Sequence, residues 1–242
     1  MEIAIIHLGN VSQLIPATSI IRGIKKKDVD TNITWVVDKE ELCYINKYNK
    51  DVSKTMPFDE FMSEKRDYDL LINLYLNFPE NIAMKPYADR ATGFYFHPYF
   101  DKFKKVFSEN KECFNMNIFQ LYFILSGLTW SGEGYDIRYY PKTKVKSNKI
   151  GVSVANANIR NYVLDNLDID KKKIWYVPYK KNIFKRMDEI NRCKKIITDD
   201  LITFHLAMSM KKYVYYLETF PLSTKLELFN SGEICKVPMN II

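Results

Sequence analysis

Residues 3–26, IAIIHLGNVSQLIPATSIIRGIKK, decide the fold. The apolar run Ile3–His7 reads as a buried strand, Leu8–Gly9–Asn10 as a tight turn, and about Ser12 to Lys26 as a helix. Leu14, Ala17, Ile21 and Ile24 recur at near-helical spacing, so one face is apolar, and Pro16 is expected within the tolerant first turn. A strand that runs through a short turn into a helix is half of a parallel crossover unit.

The pattern repeats outward from there. Thr34–Val37 reads as a strand, Glu40–Tyr48 as a helix, Tyr68–Leu76 as a central strand apolar on both faces, and Gly93–Phe96 as a further short strand. Residues 140–148, YPKTKVKSN, are Lys-rich with a proline and no apolar periodicity, which places a domain boundary at 144/145. Alternation then restarts: strands at Lys149–Val154, Ile174–Pro178, Lys195–Thr198 and Tyr213–Leu217, helices at Ile159–Leu167, Asn182–Arg192 and Ile202–Met210. The expected fold is α/β, with two Rossmann-like domains, 1–144 and 145–242, whose mainly parallel sheets face each other across a cleft. Ligands of such sheets sit at the carboxyl ends of the strands, which directs attention to the loops after His7, Val154 and Thr198.

Composition narrows the function classes. With 242 residues, 47% hydrophobic and 27% charged, the chain can bury a core and is not a disordered protein. No charged segment, apolar segment and cleavage site open the sequence, so a cytoplasmic protein is expected. The greasiest stretch, Ile118–Trp130, is interrupted by Gln120, Ser126 and Gly127 and reads as a buried helix, being shorter than the ~20 residues of a membrane span. Cys43, Cys113, Cys193 and Cys235 form no CxxC pair and no histidine stands at ligand spacing, so neither a metal site nor a disulfide framework is expected. The net charge of +7 favours an anionic partner or simply a solvated lysine face. Basic and aromatic residues interleave in KKKIWYVPYKK (171–181), but no nucleic-acid motif accompanies them, and most of the 17 tyrosines fall on core-facing positions.

Two loops carry chemistry. Gly9 permits a close turn into the first helix, whose free amide N–H groups and partial positive charge suit an anion. A second strand ends at Asp199–Asp200 before a helix with Thr203, a possible hydroxyl donor, and His205. Each candidate also has a plainer reading. Asn10 and Asp200 are helix caps, His205 is a buried helix residue, and Arg160 is solvated.

The order of segments resembles glycosyltransferase family 9, the ADP-heptose:lipopolysaccharide heptosyltransferases, over nearly the whole length. IAIIHLGNVSQLIPATSIIRGIKK resembles the family's opening strand, LGD turn and helix with its proline; ITWVVDKE (33–40) resembles its second strand; YDLLINL (68–74) its Y-D-hydrophobic strand; and ATGF (91–94) its R-I-G-F segment. GVSVANANIRNYVLDNL (151–167) resembles a loop carrying a basic residue, which puts Arg160 near the donor phosphates, and Asp200–Ala207 matches D-[TS]-G-x-x-H-L-A at Asp200, His205, Leu206 and Ala207. The resemblance implies a GT-B fold and transfer of a heptose-like sugar from an ADP-type nucleotide-diphosphate donor. The acceptor it implies is a glycan or lipopolysaccharide-type molecule, reached at the cytoplasmic face of the membrane, with no separate cofactor. Gly9 and Asn10 would line the acceptor side, and Arg160, Asp200, Thr203 and His205 the donor side.

Two departures bear on chemistry. Asn10 stands where the family carries its catalytic aspartate, and a neutral amide cannot take a proton near pH 7, so Asp38 or Asp200 would have to serve as base. Leu201 and Ile202 replace the Thr/Ser and Gly of the D-[TS]-G motif, and the C-terminal half is shortened between Pro178 and Asn182. The alternative implied by these losses is a degenerate module that binds a glycan, nucleotide or protein without turnover. Oligomeric state is not legible.

Overall fold

The computed structural model describes residues 1–64, 67–74, 91–95 (backbone only), 116–146, 148–167, 169–180, 182–220, 222, 224–238 and 241. They form two compact units, Met1–Arg138 with Leu222–Glu227, and Tyr139–Pro221 with Leu228–Ile242. The division at 138/139 lies six residues before the one read from the Lys-rich stretch, and Leu222–Glu227 returns to the first unit, where Lys225 donates its N–H to the Met116 carbonyl (3.1 Å) and Asn117 donates to Glu227 (2.8 Å).

In the first unit, β1 (Glu2–His7), β2 (Asn32–Val37), β3 (Lys54–Pro57), β4 (Tyr68–Asn73) and β5 (Ala91–Tyr95) form one sheet in the order β3-β2-β1-β4-β5, every pair parallel. That order is the one expected of a Rossmann-like half, with its switch point between β1 and β4. Central β1 is buried on both faces from Ile3 to His7, and Ile5 lies in register with Trp35 and Ile72. Ala4, Ile6, Val36, Met56, Phe61, Tyr68 and Leu71 form a core cluster, each buried branched or aromatic side chain contributing about 1.5–3 kcal/mol.

The first helix is not continuous as the periodicity predicts. It divides into α1 (Val11–Ala17) and α2 (Ser19–Lys27), and Pro16 falls inside α1 beyond its first turn. Pro16 supplies no N–H to the ladder, and at the break the Thr18 and Ser19 hydroxyls donate to the Ile15 and Pro16 carbonyls (2.7 and 2.8 Å). Glu40–Asn46 is a 3₁₀ helix rather than an α-helix, with no side-chain cap at Lys39. Strand β3 and the short helix α3 (Phe58–Ser63) were not read from the sequence. Four-residue β3 lies at the sheet edge, where its terminal Pro57 is tolerated. Helix α4 (Ile118–Leu125) is the buried helix expected from the greasy stretch.

In the second unit, β6 (Ile150–Ser153), β7 (Ile174–Tyr176), β8 (Lys195–Thr198), β9 (Tyr213–Glu218) and β10 (Gly232–Lys236) pair in parallel in the order β10-β9-β8-β6-β7. Helices α5 (Ala157–Asn166), α6 (Ile183–Asn191) and α7 (Leu201–Ser209) connect them. This is the flavodoxin-like order, with its switch point between β6 and β8. Strand β10 escaped the sequence reading because its side chains are half-buried to exposed and carry no strong apolar alternation. No helix among the described residues is long and apolar enough to cross a membrane.

Candidate functional site

Each sheet carries a pocket at the carboxyl ends of its strands, beside β1 and β2 in the first unit and at the switch point between β6 and β8 in the second. In the first unit, a pocket of about 510 Å³ is lined by Leu8, Gly9, Asn10, Val11 and Gln13 after β1, and by Asp38, Lys39, Glu41 and Leu42 after β2. Gly9, Asn10 and Asp38 are thus brought together as their positions after adjacent parallel strands require, with His7 opposite Val37.

Asn10 caps α1. Its Oδ1 accepts from the Gln13 N–H (3.3 Å) and the Ser12 hydroxyl (2.6 Å), while Gln13 Oε1 accepts from the Asn10 N–H (3.1 Å), a reciprocal capping box. Its amide therefore holds the helix start. Asp38 is exposed, with Lys39 Nζ at 4.0 Å.

Beneath the loop lies a buried relay. The Gly9 N–H donates to His7 Nδ1 (3.1 Å), which leaves Nε2 to carry the proton of the neutral ring toward Tyr122 Oη (3.0 Å); that hydroxyl donates to the Gln13 carbonyl (3.2 Å). Burial lowers the His7 pKa to about 3, so the relay stays neutral. Gly9 is needed for close approach rather than for a left-handed turn. A Cβ there would collide with Gln13 Oε1 and lie 2.6 Å from His7 Cε1, and the described glycines with positive φ are Gly127 and Gly132.

The second unit's pocket, about 310 Å³, is lined by Val152–Ala155 after β6, Arg160 on α5, Tyr176, Val177 and Tyr179 after β7, and Asp199 and Asp200 after β8. Arg160 and Asp200 are brought together here; Thr203 and His205 are not among the lining residues. Asp200 caps α7, and its Oδ2 accepts from the Thr203 N–H (2.9 Å), the Thr203 hydroxyl (2.7 Å) and Arg186 Nη1 (2.6 Å). The Thr203 side chain is fully buried in this network, where Arg186 also donates to it (3.2 Å) and Ser153 Oγ lies at 3.3 Å. His205 is buried edge-on against Phe204, whose ring also meets Tyr216; burial lowers the His205 pKa to about 3.

Sequence reasoning missed Asp199, Arg186, Tyr176 and Tyr179. Asp199 has its pKa raised, chiefly by burial and further by Asp200, with the Ala155 amide opposing. The exposed rings of Tyr179 and Tyr176 are backed by guanidinium groups, Arg186 at 4.1 Å and Arg160 at 5.6 Å. The run KKKIWYVPYKK contained both tyrosines, but only the turn after β7 shows that they face a pocket. Among the described residues no group of three or more His, Cys, Asp or Glu is placed to hold a metal ion.

Two doubly wound parallel sheets, one Rossmann-like and one flavodoxin-like, each with a pocket at the carboxyl ends of its strands, define the GT-B-like class. Solved structures share this fold. A glycosyl transferase family 9 protein from Veillonella parvula matches with a TM-score of 0.66 at 15% identity, covering 98% of this chain and 86% of its own. E. coli heptosyltransferase WaaC with ADP-2-deoxy-2-fluoro heptose matches at 0.65 and 12% identity (99% and 94% covered), and E. coli ADP-heptose lps heptosyltransferase II at 0.57 and 10% (99% and 91%). No protein-family model matches the sequence, and no curated protein matches it.

Proposed function

We propose that the chain is a glycosyltransferase that moves a sugar from a nucleotide-diphosphate donor to the hydroxyl of a glycan or glycolipid. The observation that carries this is the second unit's switch-point pocket, where Arg160 stands beside the amino ends of α5 and α7, a setting suited to a diphosphate. Support for a heptose-like sugar and an ADP-type donor comes from the ligand in the WaaC structure. The charge of +7 suits an acceptor at an anionic membrane face.

In this proposal the acceptor occupies the first unit's pocket. Its hydroxyl oxygen bonds to the sugar's anomeric carbon as the carbon–oxygen bond to phosphate breaks, and the diphosphate leaves with the electron pair, stabilised by Arg160 and helix amides. The hydroxyl proton goes to Asp38. Asn10 is neutral and committed to capping, and Asp200 is held by Arg186 and Thr203, so neither competes for that role. General-base catalysis contributes about 10²–10⁴-fold. Accordingly, Asp38→Asn should lower transfer by at least about 100-fold while nucleotide-diphosphate affinity holds. A wild-type protein that binds nucleotide diphosphates yet turns over no ADP-, UDP- or GDP-linked sugar would instead support a binding module, the reading favoured by the loss of the carboxylate at Asn10.

A further inference from the structure

The second unit's pocket is electrically divided. Asp200 and the buried Arg186 neutralise each other at 2.6 Å, which leaves Arg160 and Asp199 as its other charged lining groups. Among the described residues neither makes an ion pair. Arg160 comes from α5 and rests against Tyr176, whereas Asp199 lies at the end of β8, beside the carboxyl end of β6. Asp199 is half-buried in this cavity, where its carboxylate accepts from the Asp199 and Ala155 backbone N–H groups; it is neither a solvated surface charge nor a helix cap and keeps further lone pairs for a ligand.

A carboxylate is the wrong group for a phosphate and the right one for hydroxyls, because it only accepts hydrogen bonds and can take two from a vicinal diol. We infer that Asp199 is a recognition residue that accepts hydrogen bonds from vicinal hydroxyls of the bound ligand, whose anionic group lies toward Arg160. A phosphorylated sugar or nucleotide carries both features, and an inorganic anion carries one. The inference rests on the donor-binding role proposed for this pocket and adds what the pocket selects. Two parts of a nucleotide sugar could supply the hydroxyls, the ribose or the transferred sugar.

The test is calorimetric titration of the wild-type protein, Asp199→Asn and Asp199→Ser with ADP, 2′-deoxy-ADP, ADP-glucose and inorganic pyrophosphate. A carboxylate–hydroxyl bond sets a preference of about tenfold for the ligand that carries the hydroxyl. If the ribose is read, wild-type protein prefers ADP to 2′-deoxy-ADP by about that factor, and both variants reduce the preference below about twofold. If the transferred sugar is read, the variants instead collapse the ratio of ADP-glucose to ADP. In either case pyrophosphate should bind the variants more tightly than wild type, since removing Asp199 removes a repulsive charge. Opposite signs for hydroxyl-bearing ligand and bare anion are the signature. Unchanged ratios in both variants, or equal shifts for all four ligands, overturn the inference while leaving donor binding intact. If wild-type protein binds none of the four at millimolar concentration, the inference and the donor role fall together. Ratios that behave as expected in a protein without transferase turnover uphold the inference and remove the transferase proposal.

Discussion

Asp200→Asn separates two jobs that one side chain performs. The carboxylate caps α7 through the Thr203 N–H at 2.9 Å and balances the charge of Arg186 at 2.6 Å. Asparagine caps nearly as well as aspartate, so the helix start should lose only a few tenths of a kcal/mol. The guanidinium is another matter. Arg186 has a side chain 2% exposed, and its remaining acceptors are the Lys180 carbonyl (3.2 Å) and the Thr203 hydroxyl (3.2 Å), both neutral. Stranding a buried charge costs about 3–5 kcal/mol, and because the Asp200 side chain is 21% exposed some water reaches the site, which favours about 3 kcal/mol. Asp200→Ala should cost about 1 kcal/mol more by losing the cap. Arg186→Met in the Asp200→Asn background removes the stranded charge and should recover most of the loss, giving a coupling of at least about 2 kcal/mol. Urea unfolding at pH 7.5 with unchanged m-values measures each step. If Asp200→Asn stays within about 0.5 kcal/mol of wild type, or the double variant shows no coupling, the pair does not hold the site together as described.

The two buried histidines should make the fold acid-sensitive. His7 and His205 have folded pKa values near 3 against 6.5 unfolded, so the unfolded chain takes up their protons first, and stability present above pH 6.5 is lost as pH falls toward 3. Between pH 7.5 and 5.5 each should remove about 1.4 kcal/mol, readable by urea titration at the two pH values; half the combined loss would show that one ring takes up its proton in the fold, and a flat profile that both do. Gly9→Ala should cost about 1–3 kcal/mol, since the added methyl meets Gln13 Oε1 and His7 Cε1 with no flexible chain end to yield on the His7 side. Wild-type-like unfolding of that variant would mean the loop shifts freely and the relay beneath it is not rigid.

What could be read from the sequence and what could not follow one physical division. Central strands such as Ile3–His7 and Tyr68–Asn73 are apolar on both faces, and that run of residues is visible without any partner. Of the edge strands, β5 and β7 were read from the sequence and β3 and β10 were not. Strands β3 and β10 are short and partly exposed, so nothing in their composition separates them from loops. The break at Thr18 depends on hydroxyls turning back onto the helix, a choice that the apolar spacing of Leu14, Ala17, Ile21 and Ile24 conceals. For the sites, the loops after β1 and β8 were legible because a helix follows each strand at once, and Gly9, Asn10, Asp38, Arg160 and Asp200 do line pockets. Arg186 and the tyrosines were not: Arg186 reaches Asp200 from α6, the tyrosines line the pocket from the end of β7 and the turn after it, and only the strand order brings those segments together. His205 matched a motif by spacing and Thr203 was read as a hydroxyl donor at the helix start, but α7 places both side chains in the buried interior of the unit.

The same local arrangement occurs in both units. Where a parallel strand turns directly into a helix, the residue at the helix start is under a local demand, because the first amide groups need an acceptor. Asn10 and Asp200 meet that demand with their side-chain oxygens, at 3.3 Å to Gln13 N and 2.9 Å to Thr203 N. A side chain held this way is poorly placed to collect a proton or follow a ligand. In each unit a carboxylate that is not a cap lines the same pocket: Asp38 after β2 and Asp199 one residue before the cap of α7. Chemistry that moved from a capping residue to such a carboxylate would leave the backbone untouched, since neither Asp38 nor Asp199 is needed to close a helix. It would also account for a motif that reads as degraded at Asn10 and Leu201–Ile202 while the pockets behind it keep their acidic and basic groups.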